Sequence, residues 1–297
     1  MQGIGRACGK IILAGEHAVV YGEPALAGSI DRWTQIEIQA RPGPLEISTP
    51  NTPDATLQND PRLLEAILCV LPEEGFSVHI QGDLWIGRGL GSSASLSTAL
   101  IRAWSNLKGE TSNQSELEQQ VMRLETVFHG QPSGIDPAVI LRQGLVRFER
   151  GANPQAQPLN PQKPLRLVVI DSGTAGDTAA LVERVRSEYP ENEKTIRAIG
   201  QLTHHIERAL NTPDALGPLL TENHRLLQNL GVSTPTLDRI AEQVLQAGAL
   251  GSKLAGAGGG GVVIALVDAT CEAQVLGSMS AAGYRAFATD LPTRATS

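Results

Sequence analysis

Residues 87–93, GRGLGSS, put glycines at alternate positions directly ahead of ASLSTALIRAW, one of the strongest helix-forming stretches of the chain. A helix N-terminus leaves about four backbone N–H groups without intrahelical acceptors, and the aligned peptide dipoles add partial positive charge there. An anion satisfies both, provided the preceding loop lets it come close. Glycine permits that approach, because it has no Cβ and reaches positive φ at little cost. The segment therefore reads as a phosphate cradle ending at a helix start, with the Ser92 and Ser93 hydroxyls available to phosphate or Mg²⁺. The same residues would equally make a tight strand–helix turn with a serine cap.

A second cluster, KLAGAGGGGVVIAL at 253–266, formally matches GxGxxG through Gly256, Gly258 and Gly261. A dinucleotide-binding fingerprint has to follow a strand and open a helix. Here the glycines run into the strand-like VVIALV, so that reading fails on context. Consecutive glycines from Gly258 to Gly261 still cost backbone entropy that a plain hairpin would not need. A close approach to a ligand, or to the first loop, explains that cost better. Neither GxxxxGK[ST] nor the HRD and DFG triplets of protein kinases occur. Nucleotide, if handled, is handled by another architecture.

Two further segments carry charge where apolar residues would be expected. In ETVFHGQPSGIDPAV, at 125–139, Glu125 lies near a helix end and Asp136 follows a Pro–Ser–Gly turn whose backbone donors are free to point inward. An acid placed there can act as a base or hold a metal; it is also an ordinary solvated turn residue in many proteins. His129 near a helix C-terminus merely suits the dipole, and alone has no catalytic claim. In GKIILAGEHAVVYGEPAL, at 9–26, Lys10 opens a buried-looking strand and Glu16 and His17 follow Gly15. Charge inside an apolar segment is costly unless partnered, although an edge strand and a surface turn would also house these residues.

Composition narrows the functional classes. The net charge is −7, from 24 basic and 31 acidic residues, and no Lys/Arg-rich run occurs. That argues against a nucleic-acid groove and against an anionic membrane surface. Aromatics at 3% are too few for a base-stacking platform. Cys8, Cys69 and Cys271 are far apart with no CxxC, so neither a zinc ribbon nor a disulfide framework is indicated. No apolar run of about 18 residues is present. The expectation is a soluble, cytoplasmic chain of 297 residues, long enough for two lobes.

Patterning predicts strands at 10–15, 34–40 and 76–84, with PLEIST at 44–49 as the hairpin partner of 34–40. Helices are predicted over 61–71, 92–107 and 115–128, the last capped by Ser115, and AVIL with GLVRFE reads as a strand pair around Gly144. Residues 151–164 read as a linker. Beyond it come a strand at 165–172, helices across 178–247 broken near Pro190, Pro213 and Pro235, a strand at 261–267, a helix at 271–282 and a last strand in YRAFAT. The fold class is α+β in two lobes, 1–160 and 161–297.

Taken together and in this order, GKIILAGEHAVVYGEPAL, IGRGLGSSAS, HGQPSGID, ENHRLLQNLGVSTPTLDRI and KLAGAGGGG resemble the GHMP kinase superfamily, in detail its mevalonate kinase branch. The resemblance spans nearly the whole chain. It implies a ribosomal-protein-S5-like N-terminal lobe and a ferredoxin-like C-terminal lobe, with ATP and Mg²⁺ used to phosphorylate mevalonate. It further implies Asp136 as the base for the C5 hydroxyl and Lys10 as its cationic partner. Gly87, Gly89, Leu90, Gly91, Ser92, Ser93 and Ala94 would surround the phosphates, with Ser93 and Glu125 on Mg²⁺. Glu16, His17, Ser133, Thr178, Gly256 and Ala257 would face the substrate, and the chain would form a homodimer. Trp85, Pro137 and Ala255 depart from the family pattern, which keeps another small alcohol, such as a mevalonate derivative or a sugar, as the alternative substrate. A Ser/His/Asp hydrolase would need a GxSxG elbow, and none occurs. A non-catalytic nucleotide sensor would be favoured by loss of Lys10, Glu125 or Asp136, and all are present.

Overall fold

Strand β1 (Gln2–Ala14) starts with the small residues Gly3, Gly5 and Ala7 at alternate buried positions and pairs with the long strand β2 (Ala25–Pro44). The computed structural model describes residues 1–52, 57–111, 113–129, 134–151 and 154–292. Two compact units emerge, interleaved in sequence: Met1–Lys10, Asp31–Ile86 and Leu90–Arg142 form the first; Ile11–Ile30, Gly87–Gly89 and Gln143–Ser297 form the second.

In the first unit the Thr34–Pro44 part of β2 runs antiparallel to β4 (Glu74–Gly82), and β4 in turn runs parallel to β3 (Glu46–Asn51). PLEIST is therefore not the hairpin partner of 34–40. β4 inserts between the two, satisfying the ladder groups of both. Helix α1 (Pro61–Leu68) starts with Pro at its first position and Asp60 accepting the Arg62 N–H, and buries Leu63, Ala66 and Ile67. Helix α2 (Ser92–Lys108) buries every residue of Ala94–Ile101. Helix α3 (Gln114–His129) begins one residue before Ser115, and its cap is Asn113. The Asn113 side chain accepts from the Glu116 N–H while Glu116 accepts from the Asn113 N–H, a reciprocal capping box.

AVIL is helix, not strand: it belongs to α4 (Ile135–Arg142). Pro137 is tolerated because first-turn N–H groups have no intrahelical acceptor to lose. The core of this unit joins Ile36, Ile38, Val78 and Ile80 of the sheet to Ala99, Leu100, Val121, Leu124 and Ile140 of the helices. Each fully buried Leu or Ile there contributes ~1.5–3 kcal/mol relative to exposure.

In the second unit, Ala25–Gly28 of β2 pairs with β5 (Leu145–Glu149), and β5 pairs with β6 (Gln155–Leu159). The expected linker thus contains an edge strand; residues 152 and 153 lie outside the described set. A four-stranded antiparallel sheet has the order β10 (Ala286–Leu291), β7 (Leu165–Asp171), β9 (Val262–Leu266), β8 (Gly251–Ala255). Strand β8 had no counterpart among the sequence expectations. Helices α5 (Thr178–Ser187), α6 (Glu193–Ala209), α7 (Pro213–Asn229), α8 (Pro235–Gln246) and α9 (Glu272–Ala281) complete the unit. Its core packs Val168, Ile170, Val263 and Ala265 of the sheet against Ile199, Leu227, Leu237, Ile240, Val244 and Val275.

Candidate active site

Within the first unit, Lys10 and Asp136 face one another with Nζ and Oδ1 3.0 Å apart. The lysine side chain is only 4% exposed, the aspartate 25%. Lys10 comes from β1, and its backbone N–H donates to the Leu90 carbonyl at 2.9 Å, which seats the strand against the glycine loop. Asp136 lies in the first turn of α4, where the helix dipole favours a carboxylate. Gly91, the residue before α2, has φ +72°, and a Cβ there would stand 2.8 Å from Lys10 Cγ. A side chain at 91 would be strained by backbone and by space, so the lysine and the loop require glycine at this point. Among the described residues no side chain caps the start of α2.

Ser93, in the first turn of α2, reaches two groups on α3. Its Oγ donates to Glu125 Oε2 at 3.2 Å and lies 2.9 Å from His129 Nε2. Glu125 and His129 are four residues apart and therefore share a helix face. Glu125 is 1% exposed, and its Oε1 is buried without a hydrogen-bond partner among the described residues. Burial pushes this carboxyl up to about 8, and the nearby Asp136 charge adds to the rise. The Ser93 hydrogen bond and Lys10 oppose it. An orphaned carboxylate oxygen beside a serine hydroxyl is a donor set that fits Mg²⁺, which takes one or two carboxylates and completes its shell with water and phosphate oxygens. Among the described residues no group of three or more His, Cys, Asp or Glu forms a denser metal cluster. Leu90 and Ala94 are fully buried, Ser92 is partly buried, and Gly87 and Gly89 are exposed. Ser133 lies outside the described residues.

In the second unit, Glu16 and Lys253 form an ion pair that is 1% and 0% exposed. Glu16 Oε2 is buried without a hydrogen-bond partner among the described residues. His17 has φ +60°, a region that non-glycine residues rarely occupy. Its Nε2 lies 2.8 Å from the Ala257 carbonyl, so that nitrogen carries the proton. Burial lowers the His17 pKa despite the opposing pull of the Ala257 carbonyl and Glu16. His17, Glu16, Gly256 and Ala257 are thus brought to one place. Thr178 is exposed at the first position of α5, where Asp177 caps the helix through the Ala180 N–H.

Residues 256–261, glycine at every position but Ala257, join β8 to β9 and so form the turn of a hairpin. A strand does precede them, yet no helix follows, and the dinucleotide reading still fails. At Gly258 a Cβ would meet the Val232 carbonyl at 2.0 Å, which excludes any side chain.

Lys253, Arg88 and Asp171 were not singled out from sequence, and His129 was read there as a residue that merely suits the helix dipole. The available signal for Lys253 was a lone cation between Ser252 and Leu254 in an apolar run, and for His129 the four-residue spacing from Glu125. Arg88 and Asp171 meet only in the folded chain, at 2.8 Å.

Two family descriptions match the chain: GHMP kinases N terminal domain over residues 61–144 and GHMP kinases C terminal over residues 206–285. A curated mevalonate kinase of Pyrococcus furiosus is 33% identical, over 90% of this chain and 89% of its own length. Another, from Thermococcus gammatolerans, is 33% identical over 98% and 96% respectively. Among solved structures, L. major mevalonate kinase in complex with R-mevalonate superposes with a TM-score of 0.89 at 28% identity, covering 99% of this chain and 97% of that one.

Proposed function

The chain belongs to the mevalonate kinase family of the GHMP kinases, and from that premise we propose that it transfers the γ-phosphoryl group of ATP to the C5 hydroxyl of mevalonate. The observation that carries the catalytic assignment is the 3.0 Å ion pair of Lys10 and Asp136 beside the glycine loop. Phosphoryl transfer asks for positioning and charge neutralisation more than covalent chemistry. Asp136 accepts the hydroxyl proton as the oxygen begins to bond to phosphorus, and Lys10 offsets the alkoxide charge that develops there. The proton stays on the Asp136 carboxyl until the product leaves.

Gly87, Gly89, Leu90, Gly91, Ser92, Ser93 and Ala94 are proposed to line the nucleotide phosphates, with the uncapped start of α2 supplying backbone donors. Ser93 Oγ and the Glu125 carboxylate are the groups that would hold Mg²⁺, whose chemistry is to neutralise charge on the phosphate oxygens. Support for this comes from Glu125 Oε1, which has no hydrogen-bond partner among the described residues. Glu16, His17, Ser133, Thr178, Gly256 and Ala257 are proposed on the substrate side, a reading supported by the strained backbone of His17 and its bond to Ala257. The segments 1–160 and 161–297 are proposed as the two lobes. No helix among the described residues is long and apolar enough to cross a membrane, and we propose a cytoplasmic homodimer. The matched curated relatives are mevalonate kinases, so another small alcohol is not favoured.

The test is ADP release with Mg·ATP and mevalonate, beside mevalonate 5-phosphate, homoserine and galactose. Stimulation by mevalonate alone is expected. Asp136→Asn should cut turnover by ~10²–10⁴-fold while ATP still binds. Turnover near that of the parent would remove Asp136 from the role of base.

A further inference from the structure

Asp171, the last residue of β7, is a carboxylate only 2% exposed that follows the apolar run Leu167–Ile170. Its Oδ1 accepts from the Gly173 N–H at 2.9 Å and faces Arg88 Nε at 2.8 Å. Its Oδ2 takes the guanidinium of Arg285. Arg88 is the residue between Gly87 and Gly89, whose φ angles are +68° and +77°. Gly87 and Gly89 are exposed and carry no side chain to restrict the backbone there. Three close approaches among the described residues of the second unit help to hold it. The Arg88 carbonyl stands 3.0 Å from where a Cβ on Gly261 would lie. The Ala255 carbonyl stands 3.5 Å from where one on Gly89 would lie. The third is made by a side chain, in the Arg88–Asp171 pair.

A buried ion pair is a poor source of stability, because desolvation of both charges offsets most of their attraction. An apolar residue would close the end of β7 at less cost. A pair that clamps a segment flanked by glycines has another use. It removes, before ligand arrives, the entropy that the segment would otherwise lose on binding. We propose that Asp171 is a positioning residue for the nucleotide: through Arg88 it fixes the Gly87–Gly89 segment in the conformation that receives the polyphosphate. The proposal rests on the reading of 87–94 as the phosphate loop.

The test is a double-mutant cycle read by calorimetric binding of Mg·ATP and by steady-state kinetics. Asp171→Asn and Arg88→Gln should each weaken Mg·ATP binding about tenfold, and the double variant should be no weaker than the worse single one. Arg88→Lys should recover most of the affinity. The KM for ATP should rise while that for mevalonate stays within about twofold, because only the nucleotide meets this segment. Arg285→Gln, which removes the outer partner alone, should leave ATP affinity unchanged. Additive losses in the double variant would overturn the proposal, as would equal rises in both KM values, or unchanged ATP affinity in folded Asp171→Asn. Should Asp171→Asn fail to fold, Arg88→Gln decides the matter, since it alters a partly exposed loop side chain rather than the core. ATP binding is measured without turnover, so a chain that binds ATP through this segment but ignores mevalonate would sink the substrate assignment and leave the inference standing.

Discussion

Glu125 is held where its own charge is unwelcome. Burial is the first cause and the carboxylate of Asp136 the second, and together they push its pKa up to about 8. A raised acid favours the protonated folded form. Its contribution to stability is fully present below the ordinary value of 4.5 and is lost as pH rises through about 8. At pH 8 and above, without metal, the folded chain therefore carries a buried carboxylate that weakens it. Glu125→Gln keeps the shape and drops the charge. It should raise the thermal midpoint of the metal-free protein at pH 8 by a few degrees and change it little at pH 4.5. The same variant should need more Mg²⁺ for half-maximal ATP turnover. Differential scanning calorimetry and a Mg²⁺ titration check the two limbs. Equal midpoints at pH 8 would show that Glu125 is not strained, and an unchanged titration would take it out of the metal site.

Strand β8 is the edge of its sheet, and an edge strand leaves a row of outward N–H groups to be satisfied. Helix α7 covers them with side chains. The Ser252 N–H donates to Thr221 Oγ1 at 3.3 Å and the Leu254 N–H to His224 Nδ1 at 3.1 Å. Accepting through Nδ1 leaves the proton on Nε2, which lies 3.2 Å from Asp238 Oδ1. The strand fixed in this way carries Lys253 and leads into the glycine hairpin. His224→Leu fills similar space but leaves the Leu254 N–H buried without an acceptor. It should cost ~1–3 kcal/mol in urea unfolding. A loss within ±0.5 kcal/mol, the range of an ordinary surface substitution, would show that the edge is not held by His224.

Much of this element's surroundings was legible beforehand. Helices α7 and α8 announce themselves by Thr–Pro at their starts, a cap residue followed by proline at the first position. Strand β8 was not legible, because SKLA is buried on both faces and shows no alternation. AVIL misled for the same reason, since four apolar residues carry no period, and its true start at Gly134–Ile135 lies beside a turn. The site followed the same division. Lys10, Ser93, Glu125 and Asp136 belong to motifs continuous in sequence. Lys253 with Glu16, and Arg88 with Asp171, are pairs that only tertiary structure brings together.

On the scale of the whole molecule, these buried groups pull stability in opposite directions with pH. From pH 8 downward Glu125 gains its proton in the folded chain before the unfolded one, so stability rises. The histidines act the other way. Burial is the leading cause that lowers the pKa of His17 and of His224 below 6.5. A lowered histidine contributes stability that is present above 6.5 and lost as pH falls through its folded value. The groups facing them set how far. Glu16 and Arg184 act on His17, and Asp238 and Lys253 on His224. The net charge of −7 at pH 7 shrinks on acidification, which relieves self-repulsion, but charges more than ~8 Å apart are screened at physiological salt. The buried sites are screened far less and should decide the outcome. Stability of the metal-free chain should therefore peak near pH 6.5, with each uncompensated proton worth ~1.4 kcal/mol per pH unit. Urea unfolding between pH 5 and pH 8.5 checks this. Glu125→Gln should flatten the alkaline limb alone, and His17→Gln with His224→Gln should flatten the acid limb alone. A monotonic profile in the parent, or one substitution flattening both limbs, would show that a different set of groups governs the folded state.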